Sequence, residues 1–308
     1  MTGPLRVLVT GGNGQLGRDL RDVLGGRVPD GGTETALTVG QDIDTLATDI
    51  DTLDIVDRTA VGEAFEAFRP QVVIHGGAFT AVDACESSPD QAYAVNALGT
   101  RHVAEAAHRV GAHLLYVSTD YVFDGTLDRP YVEWDDANPR SVYGRSKRGG
   151  ELEVAALGTG ATIVRTAWVS GAHGANMVKT VLRLAVANPG PLRFVDDQRG
   201  TPTFTADLAP TIVRLALDRR PGIFHVTNQG ETTWFGFAGA VLAAAGLDPE
   251  RVEPIGTADL DPPRPAPRPA NSRLDNAALR LSGLPLLPEW NDALTRLVGV
   301  LPSLAAGA

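Results

Sequence analysis

Short apolar runs alternate with amphipathic segments along the first half of the chain. The pattern predicts buried strands at residues 5–10, 36–39, 71–75, 113–118 and 161–166. It predicts helices at residues 18–24, 61–68, 91–110 and 146–157. Residues 41–51 are rich in Asp and Thr and are expected to form an exposed loop. Because buried strands that alternate with helices form parallel βαβ units, the pattern predicts an α/β fold with a doubly wound parallel sheet.

The bulk composition narrows the class of protein. The chain has 308 residues and a formal net charge of −10, from 27 Lys and Arg against 37 Asp and Glu. Because phosphate backbones require clustered positive charge, this balance argues against a nucleic-acid partner. The lone Cys85 excludes an internal disulfide and a cysteine-based zinc cluster. With no run of about 18 apolar residues and no signal-peptide pattern, we predict no membrane partner and a cytoplasmic location.

A glycine-rich turn follows the first predicted strand. Gly11, Gly14 and Gly17 are spaced three apart, between that strand and a helix, as a dinucleotide-binding turn requires. Glycine lets the backbone approach a pyrophosphate, and the helix N-terminus offers N–H groups and a positive dipole end to that anion. The turn therefore predicts a Rossmann-type domain. The choice between NADH and NADPH stays open, because Asp42 would bind the ribose hydroxyls of NADH whereas Arg18 would pair with the 2′-phosphate of NADPH.

The regular alternation of strands and helices loosens after Trp168. Residues 262–269 read Pro-Pro-Arg-Pro-Ala-Pro-Arg-Pro and are expected to be extended, and helices are expected at residues 275–281 and 289–301. We predict that residues 1–168 form the dinucleotide-binding domain and that residues 204–230 return to it. A smaller, interleaved C-terminal substrate-binding domain is predicted from residues 169–203 and 231–308.

Three residues carry candidate reductase chemistry. Tyr143 and Lys147 are four apart, so a helix would place both on one face. A ketone that accepts a hydride develops negative charge on oxygen, which a positioned proton donor must neutralise. A nearby ammonium eases ionisation of the phenol. Thr119 ends a predicted strand, where residues of doubly wound sheets line the ligand crevice, and can hydrogen-bond the substrate carbonyl.

The chain resembles the dTDP-4-dehydrorhamnose reductase family over nearly its whole length and in the right order. The motifs that carry the resemblance are Ser118-Thr119-Asp120-Tyr121-Val122-Phe123-Asp124-Gly125, Tyr143-Gly144-x-Ser146-Lys147, Arg165-Thr166-Ala167-Trp168 and Arg268-Pro269-Ala270-Asn271-Ser272. The resemblance implies reduction of the 4-keto group of a dTDP-linked 4-keto-6-deoxyhexose with NADPH or NADH. The Ala-, Gly- and Arg-rich composition suggests a GC-rich genome, so a related sugar of an antibiotic pathway, such as a dihydrostreptose precursor, is an open alternative.

The resemblance also implies a role for individual residues. Thr119, Tyr143 and Lys147 match the catalytic triad, and Tyr143 and Lys147 also contact the cofactor. The other implied cofactor-binding residues are Gly11, Asn13, Gly14, Gln15, Leu16, Asp54, Ile55, Ala78 and Thr80. The implied substrate-binding residues are Thr119, Asp120, Trp168, Asn176 and Lys179, with Trp168 packing on the sugar ring.

Some points remain open at this stage. Residues 25–51 are longer than the family usually has, and Gly76-Gly77 replaces larger residues. Some members bind magnesium at a dimer interface, and Asp19 occupies one corresponding position, but no metal site is predicted here and a homodimer is left open.

Two other functions are alternatives to a reductase. One is a sugar-nucleotide epimerase or dehydratase of the same superfamily, although Asp120-Tyr121 lacks the Asp-Glu pair of a dehydratase. The other is a non-catalytic regulatory subunit resembling that of methionine adenosyltransferase.

Overall fold

A six-stranded parallel sheet forms the centre of the computed structural model, which describes residues 3–33, 42–157 and 160–302. With strands numbered along the chain, the spatial order is β2 (Ile43–Thr48), β1 (Leu5–Thr10), β3 (Val72–His75), β4 (His113–Thr119), β5 (Thr162–Thr166) and β10 (Gly222–His225). All five neighbouring pairs are parallel. The predicted α/β class with a doubly wound parallel sheet is confirmed.

Some helices cover the two faces of this sheet, and others belong to a smaller unit of the molecule. They are α1 (Gln15–Leu24), α2 (Arg58–Phe68), α3 (Val82–Ser87), α4 (Pro89–Tyr93), α5 (Thr100–Val110), α6 (Val142–Ala156), α7 (Met177–Ala187), α8 (Thr205–Leu217), α9 (Trp234–Ala244), α10 (Ala277–Leu281) and α11 (Trp290–Val300). A π-helical segment, Ala94–Gly99, joins α4 to α5, and short 3-10 turns occur at Asp120–Val122, Pro249–Arg251 and Thr257–Asp259. Among the described residues, no helix is long and apolar enough to cross a membrane.

The alternation of side chains along β1 explains the two-sided core. Val7 and Val9 pack with α1 and α8, whereas Leu8 packs with α2 and α5 on the other face. All three side chains are fully buried. Successive residues of a strand point to opposite faces, so a strand covered on both sides must be apolar throughout. Residues 7–9 therefore read as a continuous apolar run.

The second half of the chain adds a smaller unit with its own core. Its short strands are β6 (Val169–Ser170), β7 (Leu192–Val195), β8 (Arg199–Gly200), β9 (Thr203–Phe204), β11 (Thr232–Thr233), β12 (Val252–Ile255) and β13 (Asn271–Ser272). Its apolar core joins α7, α9 and α11 with β7 and β12. Two elements of the second half of the chain belong to the first unit instead. α8 packs on α1, and β10 joins the central sheet. The division at residue 168, with the return of residues 204–230, stays a prediction.

The region around the second strand differs from the sequence-based expectation. The prediction that residues 41–51 form an exposed loop is wrong, because Ile43–Thr48 is β2 and pairs with β1 at every position. β2 is an edge strand in which only Thr48 is buried, and its residues Ile-Asp-Thr-Leu-Ala-Thr mix polar and apolar types without a regular period, which hides the strand pattern. The strand expected at residues 36–39 lies outside the described residues.

The long helix expected at residues 91–110 is present but is not a regular α-helix. It begins at Pro89 and passes through the π-helical segment Ala94–Gly99 before α5. Buried Asn96 lies in this segment, and its side chain bonds both backbone polar groups of Phe79 and the Ser146 hydroxyl. A π-helical turn inside an α-helix often accompanies a functional site. Here it connects the segment after β3 to α6.

Candidate active site

A cavity of about 660 Å³ opens at the carboxyl ends of the central strands. The sheet order reverses between β1 and β3, because β2 lies on one side of β1 and β3 to β5 lie on the other. Ligands of doubly wound sheets bind at such a reversal. The predicted site residues that line the cavity are Gly11, Gly14, Gln15, Leu16, Asp54, Ile55, Ala78, Thr80, Thr119, Asp120, Tyr143, Lys147 and Trp168. Three other predicted site residues, Asn13, Asn176 and Lys179, are described by the structure but do not line the cavity.

The glycine turn has the geometry of a pyrophosphate cradle. Gly11 adopts a φ of +70°, and a Cβ there would lie 2.9 Å from the backbone of Gly76 and of Gly77. A Cβ on Gly17 would overlap the carbonyl oxygen of Gly11. α1 begins at Gln15, so its N-terminal N–H groups lie at the edge of the cavity. These residues fit the pyrophosphate of a dinucleotide, because backbone, rather than side chains, forms the wall.

The far end of the cavity has the residues expected on the adenine side. Asp54 and Ile55 follow β2, and the carbonyl oxygen of Ile55 is held by the His102 ring at 3.1 Å. Ala78 and Thr80 follow β3 and form part of the opposite wall. A Cβ on Gly99 of the π-helical segment would lie 2.8 Å from Ile55, so the helix packs closely here. The segment thus supports the cofactor end of the cavity.

The residue expected to choose between the two nicotinamide cofactors is not where the sequence placed it. Asp42 is exposed and precedes β2, where its carbonyl oxygen accepts from the backbone N–H of Leu5, so it lies at the opposite end of the sheet from the cavity. Asp49 follows β2, lines the cavity and accepts a hydrogen bond of 2.9 Å from the backbone N–H of Asn13. The correction follows from the position of β2. Arg18 is exposed and donates to the Asn13 carbonyl.

The predicted catalytic helix begins one residue before Tyr143. Ser141 caps α6 by accepting a hydrogen bond from the backbone N–H of Gly144. A Cβ on Gly144 would overlap the carbonyl oxygen of Tyr121, so α6 lies directly against the 3-10 turn that follows β4. This close approach brings Tyr143 to the carboxyl end of β4. Tyr143 is buried, with its ring edge-on to that of Tyr121 at 5.5 Å between centroids.

Burial sets the protonation of the two residues on α6. It raises the pKa of Tyr143, while a hydrogen bond with the Thr119 side chain opposes that rise. Burial lowers the pKa of Lys147 to about 7, partly offset by the charge of Glu151. The Lys147 ammonium donates to the backbone oxygen of Val117 at 2.7 Å and lies 4.2 Å from the centroid of the Tyr116 ring. Burial therefore favours the neutral phenol of Tyr143 and the neutral amine of Lys147.

Thr119 connects Tyr143 to a buried carboxyl group. Its hydroxyl donates to Oδ1 of Asp120 at 2.9 Å and accepts from the backbone N–H of Tyr121. Burial raises the pKa of Asp120 to about 7, against hydrogen bonds from Thr119 and Ser272 that lower it. Thr119, Asp120 and Tyr143 thus form one contact group at the end of β4, as the motif predicts.

A buried ion pair lies behind the catalytic residues. Both oxygens of Glu151 are bound by the guanidinium of Arg165 at 2.8 Å, and Arg148 adds a third bond at 2.7 Å. Burial alone would raise the pKa of Glu151, but the hydrogen bond and charge of Arg165, with hydrogen bonds from Ser118 and Arg148, together lower that pKa. Because Arg165 lies in β5 and Glu151 in α6, the pair fixes the helix that carries Tyr143 to the sheet.

Trp168 lies at the junction of the two units in a constrained conformation. Its φ is +47°, which an L side chain rarely adopts. Its indole stacks on that of Trp234 with 3.6 Å between centroids and 7° between planes, and its Nε1 donates to Ser272 at 3.2 Å. Trp234 also lines the cavity. Trp234 is not predicted from the sequence, because no short motif connects it to Trp168.

Two predicted substrate residues are engaged in structural bonds. Asn176 caps α7 by accepting from the backbone N–H of Lys179, and its amide donates to Gln15 and to the carbonyl of Gly171. The Lys179 ammonium donates to the carbonyl oxygens of Ala172 and Gly174, at 2.7 and 2.8 Å. These bonds hold the loop before α7 against the start of α1. The substrate roles of both residues stay predictions.

Asp19 lies beside this loop. Its side chain is fully buried, and burial raises its pKa to about 6. One of its oxygens is 3.7 Å from the His173 ring, and the ligand atoms of Asp19, Asp22 and His173 lie within 4.8 Å of one another. This group therefore has the spacing, but not the complete ligand set, of a cation site.

Comparison with known proteins shows the family to which the chain belongs. The family model described as "RmlD substrate binding domain" matches residues 5–301. A dTDP-4-dehydrorhamnose reductase of Streptomyces griseus is 45% identical over 298 residues, covering 94% of this chain and 92% of that protein. A protein of the same name from Mycobacterium tuberculosis is 42% identical over 295 residues, covering 94% and 91%. The crystal structure of dTDP-4-dehydrorhamnose reductase from Bacillus anthracis in complex with NADP is 37% identical, with a TM-score of 0.87 and coverage of 96% and 99%.

Proposed function

Because the chain belongs to the dTDP-4-dehydrorhamnose reductase family, we propose that it reduces the 4-keto group of a dTDP-linked 4-keto-6-deoxyhexose with NADPH or NADH. The substrate is dTDP-4-dehydrorhamnose or a related sugar of an antibiotic pathway. The observation that carries the proposal is that Thr119, Tyr143 and Lys147 line the same cavity as the glycine turn. The NADP bound to the Bacillus anthracis relative supports the choice of cofactor class.

The residues of the cofactor end hold and orient a dinucleotide. Gly11, Gly14 and the start of α1 would hold its pyrophosphate, and Asp54 and Ile55 would contact its adenine side. The nicotinamide, when bound, would supply the hydride. Lys147 lines the same cavity and would bind a ribose hydroxyl of the cofactor.

Tyr143 and Thr119 perform the proton chemistry. Thr119 and Tyr143 both line the cavity. The Tyr143 phenol can donate to the carbonyl oxygen of the substrate, and the Thr119 hydroxyl can add a second hydrogen bond when its proton turns from Oδ1 of Asp120 toward that oxygen. As negative charge develops on that oxygen, the phenol gives up its proton to it. Burial keeps the phenol protonated at neutral pH, so the donor is ready before each turnover, and an alkoxide is basic enough to accept the proton.

The proposal is tested with a panel of dTDP-linked 4-keto-6-deoxyhexoses, each assayed with NADH and NADPH and with product configuration read by NMR. Tyr143→Phe should lower kcat about 10²- to 10⁴-fold and leave cofactor affinity unchanged, since only the proton donor is lost. Tyr121→Phe is the matched control, because Tyr121 lines the same cavity edge-on to Tyr143. Absence of turnover on the whole panel, or near-normal activity of Tyr143→Phe, would contradict the proposal.

A further inference from the structure

The hydroxyl group of Thr119 has two hydrogen-bond partners within the protein itself. Its oxygen accepts a hydrogen bond of 3.2 Å from the backbone N–H of Tyr121 and lies 2.9 Å from Oδ1 of Asp120. A hydroxyl carries one proton and two lone pairs, so it forms one hydrogen bond as a donor and two as an acceptor. Because Thr119 lines the cavity, its one remaining bond is available to a ligand there.

The protonation state of Asp120 determines what that remaining bond can be. An ionised carboxylate only accepts hydrogen bonds, so Thr119 directs its proton at Oδ1 and presents a lone pair to the cavity. A lone pair repels the oxygen of a carbonyl group. A neutral carboxylic acid donates its own proton to Thr119 across the same 2.9 Å, and the Thr119 proton then points to the cavity. Only the second arrangement offers a hydrogen-bond donor to a ketone.

The surroundings of Asp120 favour the neutral acid. Asp120 is 2% exposed, and none of the ion pairs in the described part of the chain includes it. A buried carboxylate without a counter-charge is strongly disfavoured. Burial accordingly raises the pKa of Asp120 to about 7, although the hydroxyl groups of Thr119 and of Ser272 on β13 favour its charged form.

Two phenols interact with Asp120 across the end of β4. Tyr121 lies on the same 3-10 turn and Tyr143 lies on α6, and burial together with the charge of Asp120 raises the pKa of both phenols. Arg268 faces Tyr121 from the proline-rich segment, but both of its terminal nitrogens donate to Asp83 on α3. Neither phenol nor this paired cation supplies the positive charge that a buried carboxylate requires.

We propose that Asp120 acts as a neutral carboxylic acid whose proton holds the Thr119 hydroxyl in the orientation that donates to the 4-keto oxygen of the substrate. In this role Asp120 is a positioning residue that acts through Thr119. With Tyr143 donating as well, the oxygen receives two hydrogen bonds, which strengthen as negative charge develops on it. Ionisation of Asp120 removes one of these donors, so turnover falls as pH rises. The inference rests on the proposed function, because it requires a keto substrate at Thr119.

The pH dependence of kcat/KM in the holoenzyme tests this role. For a pKa of about 7, the acid fraction of Asp120 falls about 30-fold between about pH 6 and pH 8.5, and kcat/KM should fall with it. Asp120→Asn provides an amide N–H donor at every pH, so the fall should be about 30-fold smaller in this variant. Lys147 on α6 titrates in the same range, but it is present in both enzymes and cancels in the comparison.

Asp124→Asn is the matched control, because it removes a carboxylate from the same segment. Against the effect of burial, hydrogen bonds from Asn138, Thr126 and Tyr131 lower the pKa of Asp124 to about 2. Asp124 is therefore ionised at both pH values. The fall in kcat/KM of this variant should match that of the unaltered enzyme.

Thr119→Val tests whether Asp120 acts through Thr119. Valine has no hydroxyl to orient, so adding Asp120→Asn to Thr119→Val should leave the pH dependence of single-turnover rates unchanged. If Asp120→Asn still flattened the profile in that background, Asp120 would act on the substrate or on Tyr143 directly, and the inference would be wrong.

Infrared difference spectra between the unaltered protein and Asp120→Asn report the protonation of Asp120 without turnover. We expect the carbonyl band of a carboxylic acid at pH 6 and its loss by pH 8.5. A carboxylate band at both pH values, or an equal fall of kcat/KM in the two enzymes, would overturn the inference. Lack of turnover by the unaltered enzyme would instead contradict the proposed function, and the infrared bands would still decide the state of Asp120.

Discussion

The side-chain amide of Asn176 donates a hydrogen bond to Oε1 of Gln15 at 3.0 Å. Gln15 begins α1 and lines the cavity, whereas Asn176 caps α7 of the smaller unit. The bond therefore joins the start of the cofactor-binding helix to the start of a helix in the other part of the molecule. A ligand that moves one helix end must affect the other.

Asn176→Ser separates the two roles of this side chain. Serine can still cap α7 but is too short to reach Gln15, so we expect little loss of thermal stability and weaker cofactor binding. Asn176→Ala should also lose the cap and destabilise the protein by about 1 kcal/mol. Thermal melting and cofactor titration measure the two effects. If the serine variant instead raised only KM for the sugar nucleotide, Asn176 would contact the substrate as the family resemblance implies.

Gly17→Ala should damage the glycine turn, whereas Gly14→Ala should spare its fold. The new methyl at Gly17 would overlap the carbonyl oxygen of Gly11, while the one at Gly14 would lie 3.3 Å from the same atom. We expect Gly17→Ala to lose about 1–3 kcal/mol of the free energy of unfolding, from forced backbone shifts. Chemical denaturation without cofactor measures the free energy of unfolding of both variants. Equal stability of the two would show that the turn can relax around the methyl.

Asp120→Asn should make the protein more stable at alkaline pH. Burial raises the pKa of Asp120 to about 7, so between about pH 4 and 7 the folded state binds more protons than the unfolded state. The free energy of unfolding therefore falls as pH rises through that window and stays lower above it. Asparagine removes this dependence, and we expect a gain on the order of 3 kcal/mol at pH 8 that disappears near pH 4.

Denaturation at pH 4.5 and pH 8 checks this expectation. Asp19, whose pKa is also raised, gives the unaltered protein a similar pH dependence, so only the difference between protein and variant reports on Asp120. A difference that does not change with pH would mean that Asp120 is ionised in the folded protein throughout.

Glu151→Gln should be strongly destabilising. The substitution leaves Arg165, which is 2% exposed, without its buried counter-charge, and breaking such a pair costs about 3–5 kcal/mol. Glu153→Gln on the same helix is the matched control, because Glu153 pairs with Arg101 at the surface and such pairs contribute about 0.2–1 kcal/mol. Urea denaturation measures the loss in the free energy of unfolding for each variant. Similar losses in both would mean that the buried pair contributes no more than the exposed one.

The local pattern of residues along the sequence was sufficient to predict much of the fold and of the candidate site. Three features depend only on neighbours in sequence. They are the strand pattern at residues 5–10, the glycine spacing after it and the four-residue separation of Tyr143 and Lys147. Strand and helix periods place such residues on one face or at one end of an element before any tertiary contact is known. The cavity does contain Thr119, Tyr143 and Lys147 together.

The sequence pattern did not predict elements that are half-exposed, or contacts between residues that are distant in sequence. β2 mixes polar and apolar residues without a regular period at the edge of the sheet, so the sequence predicts a strand that ends near Asp42. In the structure Asp49 follows the strand and lines the cavity. The stacking of Trp234 on Trp168 and the bond from Asn176 to Gln15 depend on how the smaller unit packs on the sheet. The sequence by itself determined the residue types, their spacing and the ends of the buried strands. Only the tertiary structure decided which side chains face the cavity, because partner choice between distant segments is set by the packing of whole elements and leaves no period in the chain.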